Sequence, residues 1–71
     1  MECAVCARLV IEYERLAKAY ATAVKVLNSR AETATASEYM RLRADADEAR
    51  LDSEVARLEL EQHKRVHAKA N

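Results

Sequence analysis

Thr33-Ala34-Thr35-Ala36-Ser37-Glu38 lies at the midpoint of a chain of 71 residues that contains no glycine and no proline. Without those two breakers, and with abundant Ala, Leu, Arg, Glu and Lys, the chain reads as helix almost throughout. The fold then turns on where, or whether, that helix bends. Thr35-Ala36-Ser37-Glu38 is a capping box: a hydroxyl at the helix N-cap takes an orphan amide three residues on, and the glutamate reaches back. Ser29-Arg30-Ala31-Glu32, preceded by Asn28, is a rival with the same pattern.

Working outward from the midpoint separates the two. In the first half, Cys6, Leu9, Tyr13, Leu16, Tyr20, Ala23 and Leu27 recur at steps of three and four, the seam of an amphipathic helix. Val10, Ala17, Val24 and Ala31 widen that face. In the second half, Leu42, Ala46, Ala49, Ser53, Ala56, Leu60, His63 and His67 follow the same steps, with smaller side chains. A turn at about 33–36 makes facing residues sum to about 69 or 70, so that Tyr13 meets Ala56, Tyr20 meets Ala49, Ala17 meets Ser53, Leu27 meets Leu42 and Val10 meets Leu60. Each tyrosine meets an alanine, which fills one seam without voids. A turn at Asn28-Ser29 would put Cys6 near Arg50 or Leu51 and leave the last turns of the second helix unpaired. The expected fold is therefore all-α: one domain over 1–71, an antiparallel, coiled-coil-like two-helix hairpin. Its first helix runs over about 4–32, its turn over about 33–36 and its second helix over about 37–69.

A chain this short buries too little surface to stand comfortably alone, and usually draws on a metal, a disulfide or a partner. Val5, Ile11, Val26, Met40, Leu51, Val55, Leu58 and Val66 fall outside both seams. Leu51, Val55 and Leu58 form a second short stripe beside the first on helix 2, and an apolar ribbon of that kind marks a contact surface. The expectation is a homodimer through these three and neighbouring apolar residues, giving a four-helix bundle.

The same register brings the ends together. Cys3-Ala4-Val5-Cys6 opens the chain and His63-Lys64-Arg65-Val66-His67 nearly closes it. The pairing sets Cys6 opposite His63 and Cys3 opposite His67. Cysteines three apart on a first helical turn, and histidines four apart on one helical face, each present two ligands to a shared point. Zinc takes four such ligands in a tetrahedron, and a closed four-ligand site is structural rather than hydrolytic. The candidate metal ligands are thus Cys3, Cys6, His63 and His67, with zinc the expected ion. The bland readings are two small apolar residues at a terminus and two last-turn histidines favoured by the helix dipole. The tyrosine stripe reads as core and the charged flanks as solvated surface.

Cys3, Cys6, Tyr13, Ala49, Ala56, Arg57, Leu60, His63 and His67 also carry a resemblance. In them the chain resembles small uncharacterised bacterial helical-hairpin proteins with CxxC near the start and HxxxH near the end. That resemblance implies the hairpin and the four candidate ligands, and no biochemical activity.

Twelve basic residues balance twelve acidic ones, which argues against a nucleic-acid binder working by charge and against a polybasic membrane anchor. No apolar run approaches the roughly 20 residues that span a bilayer, and no signal peptide is legible at the start. Two cysteines three apart suit a reducing cytoplasm. No catalytic residue is expected: outside the terminal cluster there is no nucleophile–base pair and no Gly-rich loop, and no strand–helix alternation surrounds the CxxC as it would in a thioredoxin. The function these features imply is a structural or protein-interaction module clamped by zinc. The alternative is a zinc-thiolate redox-responsive switch, in which oxidation of Cys3 and Cys6 releases the ion.

Overall fold

A computed structural model describes residues 3–70, with side chains through residue 67. The chain forms two helices, α1 over Ala4–Arg30 and α2 over Ala36–Ala70, packed against each other along their length. The molecule measures 55 × 15 × 12 Å. Its long axis matches α2, since 35 residues at about 1.5 Å each give roughly 52 Å.

The bend is at the later of the two sites. The Glu38 amide donates to Thr35 Oγ1 at 3.1 Å, the N-cap bond that the second capping box promises. The Tyr39 amide donates to the Thr35 carbonyl at 2.9 Å, the first regular bond of α2. Ser29 does not cap anything: its hydroxyl donates back to the Val26 carbonyl at 3.0 Å, as a serine inside a last helical turn does. Two expected boundaries shift slightly. α1 stops at Arg30 rather than about 32, because the Arg30 carbonyl is taken by the amides of both Thr33 (3.2 Å) and Ala34 (2.8 Å), which tightens the chain out of the helix. α2 begins one residue early, directly after its Thr35 cap. Ala31 keeps a right-handed backbone, and no described residue has a positive φ, so the bend needs no glycine.

The buried residues are Ala46, Ser53, Ala56 and Leu60, all on the α2 seam. On α1 nothing is fully buried; Leu9, Tyr13, Leu16, Tyr20, Ala23 and Leu27 are half-buried. The asymmetry follows from size. Small residues on α2 disappear beneath the larger side chains of α1, which stay open at their edges. Glu12 and Leu16 share a shallow groove with Asp52, Ala56 and Glu59, the juxtaposition that a bend near residue 33 requires and a bend at 28–29 forbids.

The eight apolar residues outside the seams are, among the described residues, the large apolar side chains left exposed, from Val26 at 37% to Met40 at 71%. Leu51 and Leu58 do not lie beside the seam, as the stripe first suggests. At 3.6 residues per turn Leu51 and Leu58 fall on the side of α2 turned away from α1, while Val55 lies nearer the seam and lines the groove with Glu12, Arg15 and Leu16. The surface is otherwise charged, with exposed ion pairs Arg15–Glu12, Arg50–Glu54 and Arg57–Glu61, each worth no more than about 1 kcal/mol. No described helix is long and apolar enough to cross a membrane.

Candidate metal centre

The open end of the hairpin gathers four ligand-bearing side chains. Cys3 is the N-cap of α1, in extended backbone at φ −93° and ψ 122°. Cys6 sits one turn into the helix. His63 and His67 stack on one face of α2, their rings edge to face with centroids 4.6 Å apart. One ligand atom from each of Cys3, Cys6, His63 and His67 lies within 4.8 Å of all the others.

The expected cluster is therefore assembled, and Cys3 meets His63 as well as the expected His67: Cys3 Sγ is 3.3 Å from His63 Nε2. Cys3 stands outside the helix, so the helical register that pairs seam residues does not govern where its sulfur goes. His67 Nε2 is 3.0 Å from His63 Nε2.

These contacts oversubscribe one atom. His63 Nε2 has a single in-plane direction for either a proton or a lone pair, yet a sulfur and a second ring nitrogen both crowd it. A divalent cation between them would use all three as donors. The spacing suits one: zinc at about 2.3 Å from sulfur and 2.0–2.1 Å from nitrogen would set its ligands roughly 3.3–3.8 Å apart, a small adjustment from the distances present. Two thiolates would also neutralise its charge.

Electrostatics at the cysteines differ. The Cys3 thiol is lowered to about 6, first by the His63 contact, then by the amides of the opening helical turn, against the opposing effect of burial. Cys6 is pushed up, first by burial and then by its neighbour Cys3, with Lys64 pulling the other way. Lys64 reads in the sequence only as part of a solvated charged flank, yet it directly follows His63, so a hairpin that closes the open end brings its ammonium there too.

No protein-family model matches the chain, and no curated protein or solved structure matches it at a significant level.

Proposed function

We propose that this chain is a small protein-interaction module, a helical hairpin whose open end is clamped by structural zinc bound to Cys3, Cys6, His63 and His67. The observation that carries this reading is the convergence of four ligand atoms within 4.8 Å, two from each end of the chain. A clamp there acts where the hairpin most needs it. Helix ends fray first, and this hairpin has a thin core of four buried residues among those described. Four protein ligands leave no open position for substrate, which fits a structural ion rather than a catalytic one.

Metal analysis of protein purified without a polyhistidine tag tests the reading: about one zinc per chain is expected. Chelation should lower the melting temperature. Stoichiometric zinc in a Cys3→Ser, Cys6→Ser double variant would remove the cysteines from the site and the clamp with them.

The module self-associates in this reading, through the exposed ribbon of Leu51, Val55 and Leu58, so that two copies set four helices side by side. The thin core supports it, because a chain of this size rarely holds a fold on so little buried surface.

A second reading has its own observation. Both cysteines are free and only half-buried, and Cys3 is already biased towards thiolate. In a redox switch, two zinc-bound thiolates, one peroxide and two protons yield a Cys3–Cys6 disulfide, two waters and free zinc. Mild peroxide should then release zinc, and a thiol reductant with added zinc should restore it. Oxidation that leaves the ion in place excludes the switch.

A further inference from the structure

The outer faces of the two helices carry opposite charge. On α2, Leu51, Val55 and Leu58 are each a little over half exposed. Asp47, Glu54 and Glu61 run along one flank of them, and Glu48, Asp52 and Glu59 along the other. Arg50 and Arg57 stand farther round the helix and are drawn to Glu54 at 3.4 Å and Glu61 at 2.9 Å. Asp47, Glu48, Asp52 and Glu59 have no cation within salt-bridge distance among the described residues. Over residues 47–61 the ribbon is thus apolar along its centre and flanked mainly by carboxylates, with Arg15 of α1 lining the groove beside Asp52, Val55 and Glu59.

On α1 the side turned away from α2 shows the complement. Ile11 is 66% exposed. Arg8, Lys18 and Lys25 are exposed on the same side, with Ala4 and Ala7 beside them. Of the acidic residues of α1, Glu12 is held by Arg15 at 2.6 Å, which leaves Glu14 against this row of cations.

A ribbon meeting its own copy would set carboxylates against carboxylates whichever way the helices ran, and charges flanking an apolar seam decide which helices pair. We infer that the Leu51–Val55–Leu58 ribbon of one copy receives the Arg8–Ile11–Lys18 face of α1 of a second copy. This rests on the self-association proposed above and specifies its surfaces; it does not depend on the metal clamp. The contact joins two different faces, so it is head-to-tail and leaves one of each face unused at either end of a pair. Each added copy can accept another.

Sedimentation and light scattering on the zinc-loaded protein test this, with zinc stoichiometry measured on the same samples so that failure of the clamp and failure of the contact stay separate. The expected result is a mass that rises with concentration past two copies and falls back in about 1 M salt, where charges screen within about 3 Å. Two variants block one face each: Arg8→Glu with Lys18→Glu, and Leu51→Gln with Leu58→Gln. All four positions are exposed, so circular dichroism should show the hairpin kept. Each variant alone should be monomeric. Mixed, they should form one-to-one heterodimers that grow no further, since each supplies the face the other lacks. If the α1 variant still dimerises by itself, ribbon pairs with ribbon and the inference fails. It also fails if the unaltered protein stays monomeric at every concentration, or if the two variants remain monomeric when mixed.

Discussion

Cys3 is the residue on which the chemistry of the open end turns. Its folded acidity, about 6 against an ordinary 9.0, means that the folded state holds the thiolate where the unfolded chain holds the thiol. The unfolded state binds the extra proton between those values, so stability of the metal-free protein should rise with pH across that window and be lost as pH falls through about 6. Cys6 works in the opposite sense. Its pKa is raised, so its contribution is present below 9.0 and is lost as pH climbs past it. Thermal melts from pH 5.5 to 10 in chelator should therefore peak near pH 9. Alkylation offers a second check: in metal-free protein Cys3 should react faster than Cys6, with a midpoint near pH 6. Equal rates at the two thiols would show that His63 does not hold the Cys3 sulfur.

At the scale of the helices, the packing turns on a few positions. Leu60 is the one large side chain in the buried set, at 7% exposure. Leu60→Ala should cost about 2–3 kcal/mol, read as a lower denaturation midpoint at unchanged slope. Thr35→Ala removes the cap that starts α2 and should cost about 1 kcal/mol, while Ser29→Ala, at an interior hydroxyl bonded to its own helix, should cost much less. This pair of substitutions also marks why the bend was legible. Two capping boxes compete in the sequence, and the requirement that Tyr13 and Tyr20 each meet an alanine selects Thr35. The two seams were legible for the same reason: steps of three and four fix a face, and the residues outside both seams are the ones left exposed. The Cys3–His63 contact was not legible, because a residue outside the helix does not inherit its period. Nor was the side on which the Leu51 ribbon lies, since a short stripe is read from its spacing before its angle to the seam is measured.

For the whole molecule, shape sets the energetics. A radius of gyration of 16.3 Å, against about 11 Å for a compact domain of this length, means more surface and less interior than a globule would have. The hairpin is held along one line, and an ion at its open end would add a second point of attachment far from the bend. Chelation should accordingly lower the melting temperature of the unaltered protein by more than ten degrees, given an ion whose binding is worth on the order of 10 kcal/mol in comparable small folds. The Cys3→Ser, Cys6→Ser variant should melt no higher than the chelated value and respond to chelator no further.

The bend between Arg30 and Ala36 uses only ordinary backbone, with no left-handed residue, and most of its side chains are exposed. A protease that nicks it would break one peptide link and leave the far end untouched. Under the proposed clamp the two fragments should then stay paired while an ion bridges them and drift apart once it is stripped, so that a single cut would turn metal supply into the difference between one particle and two.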